Sequence, residues 1–255
     1  MTERKAGRVQ SVDRAARALK HVAGCGSRGA RLVDVSTALG ISRSSAHALL
    51  RTLEDHGLVA ETDGPRFVLG TTMITLGDIA AAQRPLAEAG RPVLAALSQS
   101  TGLTTRLAVA DNGFPVFVAR VDGPGSVRFQ TPLGGRETPH SSAAGKVILA
   151  DIDEDQIRSM FAGQTLQRRT DRTIVDLDQL VKEIDGVRHT GYAVDDEEDA
   201  EGIFCIAAGV RDSTGRVVGA ISVSGIASDR RARPIEQLGA LVQQAAGELS
   251  SRIGF

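Results

Sequence analysis

Four polar side chains recur on one side of the run from Arg31 to Gly57: Arg43, Ser44, His47 and Arg51. Arginine, serine and histidine can all hydrogen-bond to base edges or to phosphate oxygens. Ala46, Leu49, Leu50 and Leu53 fall at i, i+3, i+4 and i+7 on the opposite side, an apolar helical stripe. This division suits a helix that packs on a partner helix and turns its N-terminal polar side toward a major groove. Other combinations fail on spacing. His140, Ser141, Asp195 and Cys205 are a conceivable nucleophilic set, but no Gly-x-Ser-x-Gly elbow surrounds any of them. Ala144-Gly145-Lys146 has the ending of a phosphate-binding loop, yet His140 and Val147 stand where a glycine and a hydroxyl are needed. Cys25 and Cys205 make no ligand-spaced pair and the five histidines are dispersed, so neither a metal nor a cofactor is expected.

A small-molecule pocket is the remaining chemistry. Asp195 closes a strand-like run, Cys205 lies in the middle of another, and Ser222 and Ser224 alternate onto one face. A few convergent polar groups in an apolar concavity are what such a pocket requires. The plainer readings stand beside it. Cys205, in Ile203-Phe204-Cys205-Ile206-Ala207, serves equally as a small buried hydrophobe. Most of Asp195-Asp196-Glu197-Glu198-Asp199 reads as a solvated turn.

The elements that must position these groups follow from periodicity. A first helix over 10–23, capped near Ser11, precedes a glycine-rich loop. Leu32, Val35, Ala38 and Leu39 mark a second helix, which Gly40 ends, and Ser42 caps the third. Two short apolar runs around Thr62-Asp63-Gly64-Pro65 make a hairpin carrying Arg66. Three helices and a hairpin form a winged helix-turn-helix plan, and the hairpin separates it from an ordinary helix pair. Thr71 to Gln83 is a linker helix, Pro85 a break, and Pro92 to Ser100 a helix. Strands are expected at Thr104–Ala110, Val116–Val121, Val127–Thr131, Tyr192–Asp195, Ile203–Arg211 and Val217–Ser224. Helices are expected at Ser142–Ala150, Glu154–Ala162, Asp176–Thr190 and Pro234–Ile253. Antiparallel strands with helices gathered at one side make an α+β domain. The division is 1–70, a linker over 71–84, and 85–255.

Charge agrees with that division. Residues 1–70 hold 11 basic and 7 acidic side chains, a balance of +4, whereas residues 71–255 carry −5. A basic end joined to an acidic remainder fits nucleic-acid binding confined to one module. No apolar run approaches the ~18 residues of a membrane span, and the charged start MTERKAGRVQSVDRA lacks the core of a signal peptide. A cytoplasmic protein with no membrane partner is expected.

The order of several short blocks resembles the IclR family of bacterial transcriptional regulators over nearly the whole chain. The blocks are Gln10-Ser11-Val12-Asp13-Arg14-Ala15, Leu39-Gly40-Ile41-Ser42-Arg43-Ser44-Ser45-Ala46-His47, Leu53-Glu54-Asp55-His56-Gly57-Leu58-Val59 and Phe67-Val68-Leu69-Gly70. They continue with His140-Ser141-Ser142-Ala143-Ala144-Gly145-Lys146, Gly191-Tyr192-Ala193-Val194-Asp195-Asp196-Glu197-Glu198 and Ile221-Ser222-Val223-Ser224-Gly225. The resemblance implies a winged helix-turn-helix, a linker helix and a GAF-like α+β effector-binding domain. It implies a ligand-responsive regulator, most often a repressor of a catabolic or metabolic operon, acting as a homodimer or a dimer of dimers on double-stranded operator DNA. The implied effector pocket is lined by Ala143, Ala144, Asp195, Cys205, Ser222 and Ser224. Backbone N–H groups at the helix start after Ser142 would suit a carboxylate, and Asp195 would oppose one unless it accepts from a hydroxyl. The DNA-contacting set is Arg43 on a guanine edge, Ser42, Ser44, Ser45 and His47 beside it, and Arg14, Arg51 and Arg66 on phosphates. Ser141-Ser142-Ala143-Ala144 and Arg66-Phe67 depart from common family patterns, which makes ligand and operator harder to transfer. Two other classes compete: a hydrolase-like enzyme using Cys205 or Ser222, and a winged-helix module for protein contacts.

Overall fold

The chain divides into two units, residues 1–83 and 84–255. The computed structural model describes residues 9–62, 64–82, 85–124, 133–228 and 234–254. The strand expected at Val127–Thr131 and Asp63 of the wing turn lie outside the described residues.

In the first unit, helices α1 (Gln10–Gly24), α2 (Leu32–Leu39) and α3 (Arg43–Asp55) precede strands β2 (Val59–Thr62) and β3 (Arg66–Leu69). Ala18, Val22, Val35, Leu39, Leu50, Leu53, Val59 and Phe67 meet in one core. Gly40 ends α2 with φ 66°, and the Ser42 hydroxyl accepts from the amide of Ser45 to start α3. Three details differ from expectation. α1 starts at Gln10 after Val9, which provides no side-chain cap, so Ser11 lies inside the helix. Ala38 is exposed and Ser36 buried, because the Ser36 hydroxyl satisfies itself on the carbonyl of Val33. Ala30–Arg31 forms a strand, β1, that pairs with β3 and widens the wing to three strands. Two residues are too short to show alternation. Gly29, at φ 65°, lets that strand approach: an added Cβ would lie 3.0 Å from the Phe67 carbonyl. Helix α4 (Thr72–Ala82) closes the unit.

The second unit is built on an antiparallel sheet of order β5-β4-β8-β7-β6. Its strands are β4 (Thr104–Asp111), β5 (Phe114–Val121), β6 (Tyr192–Asp196), β7 (Ile203–Arg211) and β8 (Val217–Ile226). Helices α5 (Pro85–Thr101) and α9 (Ile235–Gly254) cover one face through Leu94, Leu97, Leu238, Val242 and Leu249. Helix α6 (Ala143–Leu149) covers the other, backed by α7 (Glu154–Met160) and α8 (Leu177–Thr190). Helices therefore lie on both faces, not one. The central strands are buried on both sides, so each face needs a cover. α5 starts at Pro85 and runs through Pro92, which had marked its expected start. Proline is well suited to a first helical turn, and Leu86, Ala89, Val93 and Leu94 carry the apolar stripe across the second one.

Candidate functional site

In the first unit the N-terminal side of α3 is the exposed polar surface. Arg43, Ser44, Ser45 and His47 are all exposed, while Ala46, Leu50 and Leu53 are buried beneath them. The Ser42 hydroxyl lies 2.9 Å from the hydroxyls of both Ser44 and Ser45, so the three serines order one another. The arginines assigned to phosphates are placed differently. Arg51 sits between Glu54 at 2.5 Å and Glu61 at 2.8 Å, which joins α3 to the wing. Two carboxylates so close would repel a phosphate, and they hold the guanidinium charged, Glu54 most strongly. Nη1 of Arg66 turns back to the carbonyls of Gly29 and Arg28 at 3.3 and 3.5 Å. Arg14 is half-buried. Arg17, not singled out from the sequence, donates to the carbonyl of Ala38 at 3.0 Å and ties α1 to the end of α2.

In the second unit the sheet gathers most of the expected effector residues on the face under α6. Antiparallel register sets Ser224 opposite both Thr104 and Cys205, and Ser222 opposite Arg106 and Ala207. Ala143, Ala144 and Cys205 pack in one cluster with Phe117. At its polar edge lies Arg106, which the sequence reading passed over. Its guanidinium donates to Ser224 Oγ at 2.9 Å and Cys205 Sγ at 3.5 Å, pairs with Glu137 at 3.2 Å, and stacks 4.3 Å above the Phe117 ring. The missed signal was a lone arginine in the run Thr104-Thr105-Arg106-Leu107-Ala108, but its register against Ser222 and Ser224 is not written in either strand.

Asp195 occupies a different place in the cluster. Its Oδ1 accepts from the amides of Glu198 and Asp199 at 2.8 and 3.2 Å, which folds the acidic run back on itself. Burial pushes its carboxyl up to about 7, although those two amides pull the other way. The solvated-turn reading is therefore wrong for Asp195 and Glu198, both of which are buried. Glu198 is held by Lys146, a fully buried lysine of α6 whose Nζ donates to Glu198 at 2.5 Å, Glu183 at 3.0 Å and the Val194 carbonyl at 2.9 Å. Lys146 is thus a structural cation and not the remnant of a phosphate loop. Gly145 beside it admits the close approach of Pro139, whose backbone an added Cβ would strike.

The start of α6 offers less to an anion than expected. The helix is seven residues long, and the Ser142 hydroxyl already accepts from the Gly145 amide at 3.1 Å. Thr138 and Ser141 donate to Asp199 at 3.0 and 2.9 Å, and Arg169 pairs with the same carboxylate at 2.7 Å, joining the segment before α6 to the acidic turn. His140 bonds the Gln167 carbonyl at 3.1 Å, and burial lowers its pKa. Burial pushes the Cys205 thiol up to about 12. Among the described residues there is no His/Cys/Asp/Glu group able to hold a metal, and no helix is long and apolar enough to cross a membrane.

Comparison with known proteins decides what this pair of units is. The description "IclR helix-turn-helix domain" matches residues 11–63, and "Bacterial transcriptional regulator IclR C-terminal" matches residues 79–251. The chain belongs to the IclR family. It is a DNA-binding transcriptional regulator with a winged helix-turn-helix and an α+β effector-binding domain. The transcriptional repressor IclR of Escherichia coli (strain K12) is 30% identical over 251 residues, 97% of this chain and 91% of that protein. An IclR regulator from Alicyclobacillus acidocaldarius superposes with a TM-score of 0.84 at 26% identity, covering 97% of this chain and all of the other. An IclR homologue from Microbacterium hydrocarbonoxydans, solved with 4-hydroxybenzoate, shares the fold at a TM-score of 0.79 and 19% identity, covering 94% of this chain and 98% of the other. In this IclR-family chain α4 follows the wing in sequence and exposes Ile74, Leu76 and Ile79.

Proposed function

We propose that this chain is a repressor of a catabolic or metabolic operon that binds double-stranded operator DNA and is switched by a small carboxylate. The observation that carries the reading is the buried polar cluster of the second unit, with Arg106, Cys205, Ser222 and Ser224 on one sheet face beneath Ala143 and Ala144. A buried guanidinium and hydroxyls are fit to recognise a carboxylate. Asp195, with its carboxyl pushed to about 7, repels that ligand less than an ordinary aspartate would.

On DNA, Arg43 reads a guanine edge and His47 a neighbouring base, with Ser44 and Ser45 lining the same side of α3. Ser42 orders the start of that helix. Arg14 and Arg66 are the phosphate contacts, Arg66 only after leaving its loop carbonyls. Arg51 is a brace between α3 and the wing. A homodimer, or a dimer of dimers, places two such helices on half-sites about 34 Å apart. The exposed Ile74, Leu76 and Ile79 of α4 supply an apolar surface for that pairing. The absence of catalysis is supported by the thiol of Cys205, which at about 12 is protonated at neutral pH and a poor nucleophile. The site of action is the cytoplasm.

The test is a gel shift of the full chain on its own upstream promoter at physiological salt, with and without a panel of keto acids and aromatic acids. Retardation relieved by a member of the panel supports the reading. A chain that retards no upstream fragment, or one whose retardation no acid alters, refutes it. Turnover of a panel compound, lost in Cys205→Ala with Ser222→Ala, would make the chain an enzyme instead.

A further inference from the structure

One ion pair of the second unit lies at the polar edge of the cluster under α6. Arg106 is 7% exposed and Glu137 17% exposed, and they meet at 3.2 Å on the face that the effector reading uses. Glu137 belongs to the segment between β5 and α6, which is secured on its other side by a Val116–Arg136 bridge and by the Glu137 amide on the Pro115 carbonyl. Two side chains beyond it, Thr138 and Ser141 reach the acidic turn through Asp199. Ser222, 1% exposed, sits opposite Arg106 in the ladder, and its hydroxyl has no hydrogen-bond partner among the described residues. A buried hydroxyl without a partner costs stability that a ligand oxygen would restore.

We propose that Glu137 is a built-in stand-in for the effector's carboxylate, occupying Arg106 until a free carboxylate displaces it and takes the Ser222 hydroxyl as a second donor. The proposal rests on the carboxylate-effector reading and adds the mechanism of entry. Electrostatics favours exchange over addition. Arg106 already has its counter-charge, so a second buried carboxylate would bring an uncompensated charge. Exchange keeps one anion on the guanidinium and releases Glu137, the more exposed partner, to water. Burial also holds the Glu137 carboxyl above its ordinary range, with Arg106 opposing that shift, so its ionised form is the more easily given up. Release removes one of several ties on the segment entering α6, the one that reaches the effector face, which gives ligand binding a mechanical consequence.

The experiment uses the full chain with sodium acetate as probe, acetamide as the uncharged counterpart and sodium chloride to match ionic strength. Glu137→Ala should melt several degrees below wild type in chloride, since it removes a carboxylate that faces a buried guanidinium. Acetate should restore that loss in a saturable way, and acetamide should not. Glu137→Gln, which keeps shape and loses charge, should be stabilised by acetate with a midpoint at least about tenfold lower than wild type. Acetate and acetamide acting alike on Glu137→Ala would overturn the proposal, as would equal acetate midpoints for wild type and Glu137→Gln. If Glu137→Ala does not fold, the Glu137→Gln arm decides alone. The effector reading itself fails on another result: no acid alters operator binding by wild type, whatever acetate does to the variants.

Discussion

Asp195→Asn is the substitution whose consequence follows most directly from the geometry. The side-chain oxygen that accepts from Glu198 and Asp199 is retained, and only the titration is removed. In the folded chain the carboxyl titrates near 7, against 3.8 for an ordinary aspartate. Between those values the native state holds a proton that the unfolded chain has released. Wild-type stability therefore falls as pH rises through that window and levels off above it. With those two values, linkage gives a loss of roughly 2–3 kcal/mol between pH 5 and pH 8 that Asp195→Asn escapes. Groups not coupled to Asp195 contribute equally to both proteins and cancel in the difference. The assay is urea unfolding at pH 5, 6, 7 and 8, followed by the fluorescence of Tyr192. It is the chain's single tyrosine, lies in the effector unit and has no tryptophan to compete with it. Asp195→Asn should gain on wild type steadily with pH, equivalent to roughly 5–10 °C in melting temperature over the range. A difference that stays flat would show Asp195 ionised throughout, with the two backbone amides outweighing burial. A difference that shrinks with pH would reverse the reasoning.

Arg43→Ala should cost about 1–3 kcal/mol on the preferred operator and relax specificity at one base pair, measured by competition gel shifts; an equal loss on all sequences would make Arg43 a phosphate contact. Arg51→Ala should leave the salt slope of operator binding unchanged while loosening the wing, seen as faster amide exchange at Glu61, because its charge is spent on Glu54 and Glu61. A slope reduced by about 1 would return it to the phosphates. Lys146→Met should destabilise the effector unit by about 3–5 kcal/mol, since it leaves Glu198 buried without its cation. A loss below about 1 kcal/mol in urea unfolding would mean that Glu198 simply takes up a proton or reaches water.

Among the described residues, the sequence by itself determined the order of elements apart from β1, and the inward and outward faces of α3. Those depend on local spacing: Ala46, Leu50 and Leu53 recur at helical intervals, Gly40 supplies the left-handed turn, and Ser42 the cap. It also placed Cys205, Ser222 and Ser224 on strands, because alternation is legible within one strand. The tertiary structure decided which strand lies beside which. Arg106 and Ser224 are 118 residues apart, and only the β4–β8 register brings them to 2.9 Å. The spacing around Lys146 ruled out a phosphate loop, but only folding showed its role, by burying it against Glu183 and Glu198. The partner of Arg51 on the wing, Glu61, is likewise absent from the pattern of α3 and is supplied by the fold. In each case the backbone pattern is local and so can be read along the chain. The partners of a charge are set by long-range contacts, and burial then fixes what that charge can do.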